Sequence, residues 1–380
     1  MKLSIEMEHY LESSQKDLLE LIRQLCAIPA PSHHEEKRAD FCLRWFQENG
    51  GDKAFIDEAK NVICPLHVTD SNPVCVFMAH MDTVFPDLDP MPMREADGKL
   101  WCPGVCDDTA NLAVLMICAR YFLQRKRASQ CGILFVANSC EEGLGNLKGC
   151  RAICEKYGNR MQEFVTVDGF TLNELVDRAV GSHRYRVTVR TEGGHSFSAF
   201  GNRNAIHCIA SMVNTLYTVK VPVDGTSTTT YNVGMISGGT SVNTIAQEAS
   251  ILYEYRSDNH NCMKRMQEMF ERVIDAYRAM GIEVDVEKIG DRPCAHSVNY
   301  DKQKALTEKA SKVIQDILKM EPYCCSGSTD CNIPMSLGIP SICIAACHGN
   351  AWHTRNEVLE LSSLFPGSRM VLGFLDSYFC

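Results

Sequence analysis

Residues 74–79, with the sequence VCVFMA, begin the pattern that decides the fold, because this unbroken apolar run leads directly into His80-Met81-Asp82. Three further runs are built in the same way: GILFVA at 132–137, FVTV at 164–167 and SICIAA at 341–346. Short continuous apolar runs are typical of strands that are covered on both faces, as in parallel sheets. The sequence therefore predicts an α/β domain with a mostly parallel sheet covered by helices.

The middle of the chain, residues 183–292, has a different pattern. Alternating strand signals and two helix signals follow one another in the order β-α-β-β-α-β, which is typical of a ferredoxin-like unit. Apolar runs of the first kind return after residue 293. We therefore expect a catalytic domain formed by residues 1–182 and 293–380, interrupted by an inserted ferredoxin-like α+β lid domain at 183–292.

Composition excludes several classes of protein. The 380 residues are 45% hydrophobic and 22% charged, which is ordinary for a globular chain, and the net charge of −9 offers no basic field for nucleic acid. No apolar stretch approaches the ~20 residues of a membrane span, and the first 25 residues lack the pattern of a secretory signal. We expect the 20 cysteines to be reduced thiols of a soluble, cytoplasmic protein that binds neither nucleic acid nor membrane.

Metal-type side chains follow every apolar run at its C-terminal end. They are, in chain order, His80 and Asp82, then Glu141 and Glu142, then Asp168, and finally His353 after SICIAA. In open α/β sheets, ligands bind beyond the carboxyl ends of the strands. Acids and imidazoles that collect at this edge predict a metal site.

The spacing of these residues fits such a site. His80 and Asp82 share one face of an extended segment, so the Asp82 carboxylate can fix the imidazole tautomer. Asp107 precedes a predicted buried helix over 108–123, with Asp107 or Asp108 as the N-cap, and a short carboxylate at this junction can bridge two ions. Glu141 and Glu142 are adjacent and cannot both face one point, so one can bind metal while the other stands free.

Six motifs together resemble the di-zinc aminoacylase/carboxypeptidase metallopeptidases, a family that includes peptidase T, bacterial glutamate carboxypeptidase and acetylornithine deacetylase. The motifs are HMDTVF at 80–85, GVCDDTANLAVL at 104–115, SCEEGLGNLKG at 139–149, VDG at 167–169, GGHSFSAFGNRNA at 193–205 and AWHTRNE at 351–357. The resemblance spans nearly the whole chain in the family's order. It implies two bound divalent metal ions, with zinc expected and cobalt or manganese as alternatives.

The resemblance also implies a role for each motif residue. One metal would be held by His80, Asp107 and Asp168. The other would be held by Asp107, Glu142 and His353, so that Asp107 bridges the two. Glu141 matches the family's general base, and Asp82 matches the carboxylate that orients His80.

The lid residues that match substrate-binding or oxyanion-binding positions are His195, Asn243 and Arg256. Dimeric members of the family use the histidine matching His195 in the partner's site, so the resemblance implies a homodimer. Thr329 and Asp330 lie in GSTDCN, which resembles the family's pocket-lining turn.

Amide hydrolysis is the reaction that the resemblance implies. An aspartate at the position of Asp168 accompanies aminopeptidase and dipeptidase activity in the family, so we expect an aminopeptidase that acts on di- or tripeptides. A deacylase of N-acyl amino acids is the alternative, because Arg256 would bind the free carboxylate of such a substrate equally well. A non-catalytic binding protein on the same fold is a third hypothesis.

Overall fold

The computed structural model describes residues 2–125 and 127–380, which form two compact units. The first unit extends to Ala179 and resumes at His296, and the second unit is Val180–Ala295. No helix among the described residues combines the length and the apolar character needed to cross a membrane.

The part of the first unit that precedes the insertion contains eight strands and four helices. The strands are β1 (Phe55–Ile56), β2 (Val62–Leu66), β3 (Val74–His80), β4 (Arg94–Ala96), β5 (Lys99–Trp101), β6 (Gly132–Asn138), β7 (Met161–Val167) and β8 (Glu174–Ala179). The helices are α1 (Ile5–Cys26), α2 (Glu36–Glu48), α3 (Ala110–Arg125) and α4 (Lys148–Tyr157).

The second unit has six strands and two helices. They are β9 (Gly181–Arg190), β10 (Gly194–His195), α5 (Ala205–Leu216), β11 (Thr229–Gly238), β12 (Thr244–Ile245), β13 (Glu248–Ser257), α6 (His260–Ala279) and β14 (Glu283–Arg292). Four of the strands form an antiparallel sheet in the order β11-β13-β9-β14, and the two helices pack on it. Burial alternates along β13, so one face of the sheet meets the helices. The predicted ferredoxin-like arrangement is confirmed.

The chain after the insertion completes the first unit. Its elements are α7 (Tyr300–Val313), β15 (Tyr323–Gly327), α8 (Asn332–Ser336), β16 (Ser341–Ile344), β17 (Gly349–Asn350), β18 (Val358–Glu360) and α9 (Leu364–Asp376). A small sheet in the order β17-β18-β5-β4 joins this part of the chain to the part before the insertion.

The large sheet of the first unit has the order β1-β2-β6-β3-β7-β16-β8-β15. Its four central strands, β6, β3, β7 and β16, run parallel to one another. Every residue of β3 and β6 is buried, and because successive side chains point to opposite faces, both faces of the sheet are covered. Three apolar runs lie within β3, β6 and β7, and the run SICIAA begins with β16, so the predicted mostly parallel, helix-covered sheet is confirmed.

Helix α3 begins two residues later than predicted. A single wide turn, Val105–Thr109, precedes it, and Asp107 and Asp108 within that turn have non-helical dihedral angles. Asp108 does not cap the helix in the predicted way, because its Oδ2 accepts a hydrogen bond from the main-chain N–H of His80 at 2.8 Å. The turn therefore joins the start of α3 to the end of β3.

Close packing of α9 at the edge of the sheet gives a stability prediction. A Cβ atom added to Gly367 would lie 1.7 Å from the carbonyl oxygen of Ala346, just beyond β16. We expect Gly367→Ala to lower the free energy of unfolding by about 3 kcal/mol, because backbone must move to relieve the overlap. Urea titration followed by circular dichroism would measure this change.

Gly158→Ala is the matched control. Gly158 has a helical φ of −52°, and an added Cβ would meet no atom within 4 Å. We expect the control to change the free energy of unfolding by less than about 1 kcal/mol. Equal effects of the two substitutions would contradict this account of the packing.

Candidate metal centre and active site

The carboxyl ends of the central strands bring the predicted metal-type residues together. His80 is the last residue of β3 and pairs in register with Asn138, the last residue of β6. Glu141 and Glu142 follow β6, and Asp168 follows β7. All four predicted site residues here are buried, with side-chain exposures no greater than 7%. Parallel pairing thus places one imidazole and three carboxylates at one edge of the sheet.

His80, Asp107 and Asp168 form a first cluster, which we name the His80 group. The imidazole Nε2 of His80 lies 3.0 Å from Asp107 Oδ1 and 3.6 Å from Asp168 Oδ1. The wide turn before α3 supplies Asp107, and the end of β7 supplies Asp168. One ligand atom from each residue lies within 4.8 Å of the others, which is close enough for a single ion.

Asp107, Glu142 and His353 form a second cluster, which we name the His353 group. His353 Nε2 lies 2.8 Å from Asp107 Oδ2 and 3.3 Å from Glu142 Oε1. His353 is in the loop between β17 and β18 and is exposed, whereas the two carboxylates are buried. Asp107 therefore directs one oxygen to each group, as a carboxylate that bridges two ions would.

The electrostatics of the two groups fit divalent cations. Burial and the Asp107 carboxylate raise the pKa of Glu142 to about 8, and burial raises the pKa of Asp168 to about 7. The neighbouring carboxylates of Asp107 and Glu142 raise the pKa of His353 to about 10. Buried acids that gather around imidazoles need positive charge nearby, which a divalent ion supplies.

The donor atoms point to the same conclusion. Glu142 Oε1 is buried and accepts no hydrogen bond among the described residues, although His353 Nε2 lies 3.3 Å away. Imidazole nitrogens and carboxylate oxygens are ligands that zinc accepts, and cobalt and manganese accept them as well. The residues present therefore fit a pair of divalent ions that share Asp107.

Asp82 contacts more of the centre than its spacing predicts. The Nδ1 atom of His80 lies 3.0 Å from the main-chain oxygen of Asp82 and 3.5 Å from its carboxylate. The carboxylate accepts hydrogen bonds from the main-chain N–H groups of Glu141 and Glu142, each at 3.0 Å, and from the Ser32 hydroxyl at 2.6 Å. Asp82 thus holds both the imidazole and the turn that carries the two glutamates.

Glu141 stands beside the clusters. It is buried, and one of its carboxylate oxygens lies within 4.8 Å of ligand atoms of His80 and Glu142. Cys140, directly before it, has a left-handed φ of 56°, so the chain turns sharply between β6 and Glu141. The turn allows two adjacent glutamates to approach the same small volume from different directions.

The turn that contains Thr329 and Asp330 lies at the same sheet edge. Both residues are buried, and Asp330 Oδ2 accepts a hydrogen bond from the Asn138 amide at 2.7 Å. Glu141 and burial both raise the pKa of Asp330, with burial as the larger cause. Asp330 therefore packs behind the end of β6, close to the charge of Glu141.

The three lid residues are divided between two places in the second unit. His195 in β10 pairs with Thr244 in β12, and Ser196 donates its main-chain N–H to the carbonyl of Asn243 at 2.9 Å, so His195 and Asn243 are neighbours. Arg256 lies near the C-terminal end of β13, and its guanidinium donates a hydrogen bond to the Glu254 carboxylate at 3.1 Å. Eight residues of β13 separate Arg256 from the end of this strand that lies nearer His195, a distance of roughly 26 Å.

Several residues of the centre were not predicted as site residues from the sequence. They are Ser32, Glu35, Asp108 and Glu357, all of which bind main-chain or side-chain groups of the predicted site residues or of their neighbours. Asp108 and Glu357 lie in recognised motifs, GVCDDTANLAVL and AWHTRNE, but Asp108 was considered only as a helix cap. Ser32 and Glu35 lie outside the motifs, and no spacing rule identifies them.

Comparison with known proteins gives a consistent assignment. Residues 76–377 match the model of peptidase family M20/M25/M40. Uncharacterized protein YqjE of Bacillus subtilis strain 168 is 24% identical over 376 residues, which cover 96% of this chain and 98% of that protein.

Two solved structures share the fold over nearly the same extent. A tripeptidase from Staphylococcus aureus Mu50 has a TM-score of 0.78 and 21% identity, and the aminopeptidase PepT from Bacillus cereus ATCC 10987 has a TM-score of 0.73 and 22% identity. Each comparison covers 96% of this chain and 98% of the other. With the family match over most of the chain and two ligand groups at the sheet edge, this protein belongs to peptidase family M20/M25/M40 and is a metal-dependent peptidase.

Proposed function

We propose that this protein is an aminopeptidase that removes the N-terminal residue of di- or tripeptides with two zinc ions. The observation that carries the proposal is the shared Asp107 carboxylate, with one oxygen toward His80 and the other toward His353. The Glu141 carboxylate, which lies beside both groups, adds the acid–base residue that such a centre needs.

The metal ions, when bound, polarise the scissile carbonyl and make the attacking water more acidic. His80, Asp107 and Asp168 would hold one ion, and Asp107, Glu142 and His353 would hold the other. Cobalt and manganese are accepted substitutes, because the same donor atoms suit them.

Glu141 takes the proton of the attacking water and returns it to the leaving nitrogen. Its main chain is fixed by the hydrogen bond to Asp82, so the carboxylate starts from a defined position. In the lid, His195 and Asn243 stabilise the negative charge on the carbonyl oxygen, and Arg256 binds the substrate carboxylate through its planar guanidinium.

The choice of substrate has two supports. Asp168 is the family residue expected of aminopeptidases and dipeptidases, and the two structural neighbours are an aminopeptidase and a tripeptidase. Arg256 would serve an N-acyl amino acid as well, so deacylation is the competing activity to be measured. The complete set of ligands and the intact Glu141 argue against a binding protein without catalysis.

The geometry of the lid supports a homodimer. Arg256 lies near the C-terminal end of β13, whereas His195 lies in β10, beyond the other end of that strand, and eight residues of strand span roughly 26 Å. A dipeptide is much shorter. One lid therefore cannot offer both residues to one substrate molecule. In a dimer, Arg256 of one protomer and His195 of its partner can meet the same substrate.

We also place the enzyme in the cytoplasm. Its 20 cysteines are free thiols, and all but Cys324, Cys325 and Cys380 are buried. A reducing compartment maintains thiols in this state.

Metal binding gives the first prediction of this proposal. Zinc added to chelator-treated protein should raise the unfolding temperature by several degrees, because it neutralises the repulsion among Asp107, Glu142 and Asp168. Calorimetric titration should find two ions per chain, and Asp107→Asn should weaken both sites. A protein that binds no zinc, cobalt or manganese would favour the non-catalytic hypothesis.

The adjacent glutamates give a matched pair of variants. Glu141→Gln should lower kcat by roughly 10²–10⁴-fold while two metal ions still bind, because only the proton acceptor is lost. Glu142→Gln should weaken the His353 group and lower the metal content. Metal analysis and single-turnover assays on both variants distinguish the two roles, and equal metal content in both would contradict the assignment.

The same assays should use di- and tripeptides beside N-acetylated amino acids. Release of an N-terminal residue by the wild-type protein, with loss in Glu141→Gln, is the expected result. Cleavage of the acylated compounds alone would overturn the aminopeptidase assignment and make the enzyme a deacylase with the same centre.

Mixing two inactive variants tests whether His195 acts across a dimer. A heterodimer of His195→Ala with Glu141→Gln has one intact site, so an equilibrated mixture should recover about a quarter of wild-type activity. Each variant alone should stay inactive, and sedimentation should give the mass of two chains. A monomeric mass, or a mixture without recovered activity, would overturn the proposal.

A further inference from the structure

Glu357 is a fully buried carboxylate that does not belong to either ligand group. Its side chain accepts three main-chain hydrogen bonds from the turn that carries Asp107. Gly104 N–H donates to Oε2 at 2.9 Å, and Cys106 N–H and Asp107 N–H donate to Oε1 at 2.7 and 3.0 Å. The side chain has 0% exposure, so no solvent competes for these bonds.

The turn that Glu357 contacts cannot satisfy these N–H groups by itself. Asp107 has φ −111° and ψ 85°, and Asp108 has φ −127° and ψ 17°, so neither residue has helical geometry. Gly104 adopts a left-handed φ of 77°. A buried N–H group without a partner carries a desolvation penalty, and the Glu357 carboxylate offsets this penalty at three N–H groups of the 104–107 turn.

Glu357 also belongs to the segment that carries His353. Residues 351–357 connect β17 to β18, and Glu357 donates its main-chain N–H to the carbonyl of Thr354 at 3.2 Å. Its own carbonyl accepts a hydrogen bond from Cys102 N–H at 3.2 Å. Immediately after it, Val358 pairs with Trp101 of β5. The segment is therefore fixed in register against the chain that leads to Asp107.

Glu357 thus connects the two segments that supply Asp107 and His353. His353 itself is exposed and has a left-handed φ of 58°, so its loop needs an anchor inside the protein. Replacing a side chain that orients a metal ligand from behind typically lowers metal affinity or activity roughly 10–100-fold.

We infer that Glu357 is a positioning residue that fixes the bridging carboxylate of Asp107 and couples it to His353, and so sets the geometry of the two metal sites. The inference rests on the proposed dimetal centre. The Glu357 carboxylate binds main-chain N–H groups, so its effect passes through the main chain of the 104–107 turn.

Glu357→Gln tests this role with little change of shape. A glutamine has one acceptor oxygen, so an amide NH₂ group would face one of the N–H donors. We expect zinc affinity, measured by competition with a chelator, to fall roughly 10–100-fold. The absorption spectrum of the cobalt-loaded variant should also change, and kcat should fall with little change in KM.

Glu360→Gln is the control, because Glu360 lies in β18 and its carboxylate forms a partly exposed ion pair with Lys99, at 3.6 Å. It should match the wild type in affinity and spectrum. Comparing the melting temperatures of the chelator-treated proteins distinguishes a positioning role of Glu357 from a general contribution to stability. If Glu357→Gln does not fold, Glu357→Asp provides the same test, because it keeps both oxygens but withdraws them by one methylene.

The outcomes are distinct. Weaker metal binding with an altered cobalt spectrum supports the inference when chelator-treated variant and wild type melt alike. The inference is overturned if the variant has the wild-type zinc affinity and cobalt spectrum. It is also overturned if the variant loses no more free energy of zinc binding than it loses free energy of unfolding in the metal-free state. Fewer than two ions on the wild-type protein would overturn the dimetal proposal itself, and this inference with it.

Discussion

The rest of the site depends on the sharing of one buried carboxylate, that of Asp107, between His80 and His353. Each oxygen has its own partner, so the side chain has no freedom to turn without losing one of them. Glu142 and Asp168 must then approach Asp107 from other directions. Both are buried, and their carboxylates carry charge of the same sign as the Asp107 carboxylate. The closeness of these acids is costly without cations, which explains why the centre needs a rigid frame.

Carboxylates that accept main-chain hydrogen bonds supply this frame. Asp82 holds the turn of Glu141 and Glu142, and Glu357 holds the turn of Asp107. Glu35, also buried, accepts the N–H groups of His33 and Cys140 at 2.9 and 3.1 Å, directly before Glu141. Charge-assisted bonds to main chain are short and strong, so each loop is fixed without a side chain taken from the ligand set.

The sequence predicted the strands, and which residues cluster at their carboxyl ends, better than the carboxylates behind them. Apolar runs identify buried parallel strands, and the rule that sites form at their carboxyl ends then brings His80 and Asp168 together. The helix start was misplaced because Asp107 and Asp108 have dihedral angles that no periodicity predicts. The role of Glu357 was not predicted, because an acid that binds main-chain N–H groups produces no spacing pattern in the sequence.

The placement of His353 makes the proposed metal centre depend on both segments of the first unit. Before the insertion the chain supplies His80, Asp107, Glu142 and Asp168, and only afterwards does it supply His353. The later segment also provides β16, a central strand bonded to both β7 and β8. The ligands, the sheet and the Glu357 contact with the 104–107 turn therefore all require both segments, so neither segment can form the metal centre by itself.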